Sequence, residues 1–174
     1  MADLFSDIRP AQAWHGDGVL HLPGFARDLD LSSDLSRLVA ASPFRHMKTP
    51  GGRAMSAAMT NCGACGWVSD KRGYRYSDHD PMTGQPWPDM PVHWRELACQ
   101  AATAFGAPDF KPDACLVNRY GPGARMALHQ DRDEADLCHP VVSLSFGATG
   151  EFMLGGLQRR DKPEIIRLEH GDGL

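Results

Sequence analysis

"ACLVNRYGPGARMALHQD", residues 114–131, is where the chain's hydrophobic period changes from helical to two. Apolar and polar residues alternate on both sides of Gly-Pro-Gly, a pattern of strand, turn and strand. "VVSLSF" (141–146), "EFMLGGL" (151–157) and "EIIRLEH" (164–170) continue the run of short strands. Upstream, "GVLHLPGF" (18–25) makes a short strand closed by Pro-Gly, and "RAMSAAMTNCG" (53–63) an extended run ending in an Asn-Cys-Gly turn. Leu31, Leu35, Leu38 and Val39 recur at helical spacing, with Ser32 and Ser33 as candidate caps. A second helix spans about 91–105, with Pro91 in its first turn, Leu97, Ala101 and Phe105 on one face, and Gly106 at its end. Helices first and a crowd of strands after them predict an α+β, mainly β domain, a sandwich or jelly roll with helices outside. Residues 66–90, rich in Gly, Pro, Asp, Trp and Tyr, form a long ordered loop or small hairpin of the kind that carries function.

A length of 174 residues fits one domain with a real core. The net charge of -4 excludes a broad basic surface coating nucleic acid, leaving local footprints at Lys71, Arg72 and Arg75 and at Arg159, Arg160 and Lys162. "MADLFSDIRP" has no apolar run and is not a signal peptide. No stretch approaches the ~18 apolar residues that span a bilayer. A soluble, cytoplasmic protein without membrane contact is expected. Five irregularly spaced cysteines suit that compartment better than a disulfide framework, and the lone Cys62-x-x-Cys65 reads as two thiols beside a glycine turn.

Side chains on a strand alternate faces, so His129 and Asp131 point the same way. An imidazole and a carboxylate so placed could take adjacent corners of an octahedral metal, awaiting one more histidine to complete a facial triad. A partly buried histidine beside a solvated acidic run explains the tripeptide equally well. Asn118 and Tyr120 share a face of the preceding strand and suit hydrogen bonds to a small organic acid, or an ordinary edge strand.

The longer string "DFKPDACLVNRYGPGARMALHQDRDE" (109–134) resembles the bacterial AlkB DNA-repair dioxygenases. The likeness continues through "SPFRHMKTPGGRAMSAAMTNCGACGW" (42–67), "KRGYRYS" (71–77), "PWPDMP" (86–91), "AATAFGAPDF" (101–110), "GGLQRRD" (155–161) and "LEHGD" (168–172). It covers essentially the whole chain. The resemblance implies a double-stranded β-helix, a jelly-roll variant, within a single domain 1–174. Residues 1–90 would form an N-terminal extension and nucleotide-recognition lid, and 91–174 the partial dioxygenase core. His129 and Asp131 match two Fe(II) ligands, and Asn118 and Tyr120, with Arg119 between them, match the 2-oxoglutarate site. Trp67 and Tyr74 match residues that pack against an extruded base, with Arg75 and Tyr76 beside them and Met59 lining the pocket. Asp133 matches a reader of the base's amino group, and Arg159 a substrate contact. Glu134 and Asp136 are expected to be solvated surface.

The implied reaction decarboxylates 2-oxoglutarate to succinate with O2 and hydroxylates an N-alkyl group, which leaves as formaldehyde; ascorbate is the accompanying reductant. Implied substrates are 1-methyladenine and 3-methylcytosine in single- or double-stranded DNA, with RNA as a further class, and a monomer is the default. In the family a third iron-binding histidine and two arginines follow "LEHGD". His170 belongs to that earlier segment, and His139 lies too close to Asp131 to substitute. The expectation is a chain without the last strands, the third ligand and the 2-oxoglutarate arginine, inactive as given. The alternative is a non-catalytic binder of damaged or single-stranded nucleic acid.

Overall fold

The computed structural model describes residues 9–16, 18–132, 134–158 and 160–174. The chain divides into two compact units, Asp30–Glu96 with Phe110–His139, and Met1–Leu29 with Leu97–Asp109 and Pro140–Leu174. Strands outnumber helices, as the change of period predicts.

In the first unit, helix α1 covers Ser32–Ala41. The Ser32 N–H is taken by the Asp30 carboxylate at 2.8 Å, while Leu31 occupies the N-cap position without a side-chain cap, so neither Ser32 nor Ser33 caps the helix. The Ser42 N–H closes the other end on the Leu38 carbonyl. Strand β3 (Ala58–Gly63) pairs antiparallel with β6 (Ala114–Arg119) along its whole length. Asn61 and Cys62 are therefore ladder residues, with only Gly63 reaching a turn conformation, at φ +116°. A side chain at 63 would collide with the Asp113 carbonyl, so glycine is needed there. Strands β4 (Gly66–Asp70) and β5 (Gly73–Ser77) turn the Trp- and Tyr-rich segment into a hairpin whose bend is held by Arg72 N–H on Asp70 Oδ1, 2.8 Å.

The run 124–131 keeps its alternating sequence but is not a strand, because no neighbouring segment supplies a ladder for it among the described residues. Alternation reports faces, whereas a strand also needs a partner.

In the second unit, β1 (Ala13–His15) pairs with β2 (Val19–His21), β7 (Leu144–Ser145) with β10 (Asp172–Gly173), and β8 (Gly150–Leu154) with β9 (Glu164–Leu168). "VVSLSF" thus contributes only two ladder residues. Leu20, Leu22 and Ala101 form a small core with Phe25, Phe105 and Val142 against it. The buried Asp172 carboxylate ties the unit together. It accepts from Arg9 (2.8 and 2.5 Å), His21 Nε2 (3.1 Å), and the Gly24 and Glu169 N–H groups (2.7 and 2.8 Å). Burial alone would push this carboxyl up; the Arg9, Glu169, Gly24 and His21 donors outweigh it and hold it well below the usual carboxylate range.

Helix α2 is Val92–Phe105. Pro91 offers its carbonyl to the Trp94 and Arg95 N–H groups. Gly106 (φ +107°) ends the helix in a Schellman motif, with Gly106 N–H on Thr103 O and Ala107 N–H on Ala102 O. Among the described residues, no helix is long and apolar enough to cross a membrane.

Candidate functional site

The β3–β6 ribbon has two faces, set by its register. Met59 lies opposite Asn118 and Asn61 opposite Leu116, while Ala58–Arg119, Thr60–Val117 and Cys62–Cys115 form the pairs of the other face. On the first face Met59 is buried in a cluster with Met47 and Ala57, against which Met55, Trp67, Leu116 and Met126 pack. Asn118 is half-buried, and its Oδ1 is buried without a hydrogen-bond partner among the described residues. An orphaned amide end at that position is what a bound polar group would answer. Tyr120, half exposed, follows two residues on.

Asn61 does a job that its sequence context hides. Its amide donates to the Trp67 carbonyl and accepts from the Trp67 N–H, both at 3.0 Å, imitating a strand partner. This clamps the start of the hairpin onto the ribbon. One face of that hairpin then carries Trp67, Ser69, Tyr74 and Tyr76. The Trp67 and Tyr74 rings stack with centroids 5.6 Å apart and planes 14° from parallel, and Tyr74 is 47% exposed. The stack is thus already assembled, its inner ring seated on the Met59 cluster and its outer ring facing solvent.

Tyr76 O–H donates to Glu134 Oε1 at 2.6 Å. Burial first, and the hydrogen bond to Glu134 second, push the phenol up, so it remains a donor. Glu134 is therefore half-buried and engaged, contrary to the expectation of a solvated residue, because Tyr76 reaches it from the hairpin. Asp136 is exposed as expected, accepting from His139 and Cys138 N–H. Arg75 occupies the opposite hairpin face, where its guanidinium forks onto both Asp70 oxygens at 3.0 and 2.8 Å. Asp70, held well below the usual range by Arg75 and by the Arg72 N–H, also sits 3.4 Å from Arg72 Nη2. One carboxylate thus engages two of the three cations of the cluster 71–75, Arg72 and Arg75.

His129 Nδ1 lies 2.8 Å from the Ala127 carbonyl. A carbonyl only accepts, so Nδ1 carries a proton, and in the neutral ring Nε2 is the nitrogen with the lone pair a metal would take. That second nitrogen stands 3.4 Å from Asp131 Oδ1, with both side chains about half exposed. Two adjacent octahedral donors about 2.1 Å from a cation lie about 3 Å apart, so the pair fits two corners of a metal site. The Nδ1–H bond to a backbone carbonyl is the support that metal-binding histidines commonly have. Among the described residues no three His, Cys, Asp or Glu side chains group as a metal site. Asp133 and Arg159 lie outside the described residues.

The structure thus brings together Met59 with Asn118, Met59 with Trp67, the Trp67–Tyr74–Tyr76 face, and His129 with Asp131. It turns Arg119 and Arg75 onto opposite faces of their strands. Asn61 and Glu134 are the two members that sequence reasoning missed. Asn61 had no signal beyond an alternating position; Glu134 had only its nearness to Asp131.

Residues 18–174 match the sequence model of the 2OG-Fe(II) oxygenase superfamily. The chain is 51% identical to the alpha-ketoglutarate-dependent dioxygenase AlkB of Escherichia coli strain K12, over 99% of this chain and 81% of that protein. It is 52% identical over 131 residues to the AlkB homolog of Caulobacter vibrioides, covering 75% of this chain and 58% of that one. The human nucleic acid dioxygenase ALKBH1 is 35% identical over 61% of this chain and 27% of its own. The solved structure of OsALKBH1 superposes with a TM-score of 0.80 at 28% identity, covering 93% of this chain and 80% of that one.

Proposed function

The chain belongs to the 2OG-Fe(II) oxygenase superfamily, and from that premise we propose that it recognises alkylated bases in DNA for oxidative demethylation. The fold is that of this superfamily, the jelly-roll arrangement expected from the sequence. The activity is that of a dioxygenase using Fe(II), 2-oxoglutarate and O2. The proposal adds the substrate: 1-methyladenine and 3-methylcytosine, released as the repaired base and formaldehyde, in single- or double-stranded DNA. RNA is a secondary substrate class, in keeping with the likeness to the human nucleic acid dioxygenase ALKBH1.

The observation that carries the reading is the preformed Trp67–Tyr74 stack, clamped by Asn61 and tied through Tyr76 and Glu134 to the segment bearing His129 and Asp131. A base must leave its helix to reach such a site, and an aromatic shelf repays part of that cost whatever the base. His129 Nε2 and Asp131 would hold Fe(II), and Asn118 and Tyr120 would hold 2-oxoglutarate. Fe(II), when bound with the keto acid and O2, supplies the oxidising power for the alkyl C–H bond. The protein's share is placement. Met59 walls the pocket, the stack orients the base, and Asp133 favours a cationic lesion by Coulomb attraction. Arg159 is proposed to touch the substrate.

The test presents residues 1–174, Fe(II) and 2-oxoglutarate with a single-stranded oligonucleotide carrying one 3-methylcytosine. Tighter retention of the methylated than of the unmethylated strand is expected. Equal affinity for the two strands would refute base recognition. Formaldehyde release in step with repair is the readout of the demethylation itself.

A further inference from the structure

The far face of the β3–β6 ribbon holds a cavity that the proposed chemistry does not use. It is an open depression of about 360 Å³ lined by Ala58, Arg119, His46, Ser56 and the turn at 121–124. That volume is at the lower end of small-ligand sites, which run about 300–1,000 Å³.

Arg119 dominates it. The register places Arg119 opposite Ala58, on the reverse of the face that Met59 and Asn118 share. Its guanidinium carbon sits 4.7 Å over the Phe44 ring, which fixes the plane while leaving the edge N–H donors free to bond. No carboxylate lines the cavity, and Arg119 enters no ion pair among the described residues. Arg45 and Arg75, by contrast, are each forked onto an aspartate.

The wall facing Arg119 is rigid. Pro122 and Gly123 (φ +77°) are the central residues of a turn closed by Ala124 N–H on Gly121 O at 2.9 Å, the arrangement of a type II turn. Ser56 Oγ donates to the Arg125 carbonyl at 2.7 Å and accepts the Arg125 N–H at 2.8 Å, pinning the turn's exit. His46 Nδ1–H is committed to the Met55 carbonyl at 2.8 Å, which settles the ring's orientation. A held, unpaired guanidinium facing a rigid backbone turn, with no competing anion, suits a tetrahedral oxyanion.

We propose that this cavity is a phosphate subsite, anchored by Arg119, that takes one phosphodiester of the nucleic-acid strand. It rests on reading the chain as a nucleic-acid dioxygenase. Ala58 and Arg119 are each one residue from Met59 and Asn118, so a strand passing over this end of the ribbon meets both faces within one nucleotide's reach. The subsite positions the strand and reads no base.

The test measures binding of an unmodified single-stranded oligonucleotide to residues 1–174 by fluorescence anisotropy, from about 50 to 200 mM salt. Arg119→Gln should lower the slope of log K against log salt by about 0.7, the share of one phosphate on a single strand. Arg119→Lys, which keeps the charge, should restore the slope. Preference for a methylated over an unmethylated strand should be the same in all three proteins. An unchanged slope in Arg119→Gln with that preference intact would overturn the subsite alone. Absence of any salt-dependent binding by the parent protein would overturn both the subsite and the nucleic-acid reading. Free phosphate is the other source of the same chemistry. If inorganic phosphate at fixed ionic strength shifts the Gly123 amide signal only when Arg119 is present, yet the oligonucleotide slope does not change, the cavity takes free anion and the strand assignment falls.

Discussion

Removing Tyr74 and Trp67 one at a time separates recognition from support, because the two rings of one stack have different neighbours. Tyr74 is 47% exposed and contributes its outer face. Its loss forfeits the ring pair, worth about 0.5–1.5 kcal/mol of stability, and little else. A base stacked on it contributes roughly 1–3 kcal/mol, so Tyr74→Ala should weaken lesion binding by about 5- to 150-fold. Trp67 is also packed on the buried Met47–Ala57–Met59 cluster. Complete burial of an aromatic would put the cost of Trp67→Ala at about 3–5 kcal/mol, and partial exposure brings it to the lower end. The backbone clamp from Asn61 survives either change, since it uses only the Trp67 N–H and C=O. Anisotropy with a 3-methylcytosine oligonucleotide, beside urea unfolding of each variant, gives both quantities. The expected result is comparable binding losses with a larger stability loss for Trp67→Ala. The reasoning is refuted if Tyr74→Ala binds the methylated strand within about twofold of the parent, under 0.5 kcal/mol.

Two further outcomes follow from engaged carboxylates. Asp172→Asn keeps the shape but removes the charge facing Arg9, and should cost about 3 kcal/mol in urea unfolding. Because the folded state holds Asp172 below the unfolded value of about 3.9, its contribution is complete above that pH and fades as pH falls beneath it. The asparagine variant should therefore lose less stability than the parent between about pH 5 and 2, and parallel acid curves would sink the assignment. Tyr76→Phe removes the donor to Glu134, worth about 1.5–3 kcal/mol for a charged acceptor, and should loosen the segment around His129. Hydrogen exchange at 129–136 should speed up relative to that of α1; unchanged exchange would mean Glu134 finds water at no cost.

Most of the site's chemistry was legible in the linear sequence, and most of its support was not. The shared face of His129 and Asp131 follows from alternation and survives as a 3.4 Å approach, even though 124–131 has no ladder among the described residues. A two-residue spacing persists in any extended backbone, whereas strand membership depends on a partner elsewhere in the chain. Arg119 shows the converse. Its place between Asn118 and Tyr120 suggested a common role, but the same alternation already assigned it to the other face. Asn61 read as part of a turn because Asn-Cys-Gly is turn chemistry; ladder pairing with Leu116 overrode the local preference. Glu134 could not be paired with Tyr76 from sequence at all, 58 positions away. The N-cap of α1 falls on Leu31, one residue before the candidate serines, with Asp30 bonding the Ser32 N–H from outside the helix.

The ribbon formed by β3 and β6 has a bearing on how this protein can vary over evolutionary time. Its neighbouring positions serve different masters: Ala58 and Arg119 line the far cavity, Met59 and Asn118 the pocket. Replacing a side chain alters one compartment. Inserting or deleting a single residue in either strand exchanges the two compartments' contents wholesale, because a one-position slip flips every side chain to the other surface. Drift in this region is thus free to change letters but barred from changing length, and it is the length between 58 and 63 and between 114 and 119 that homologous chains should share most strictly.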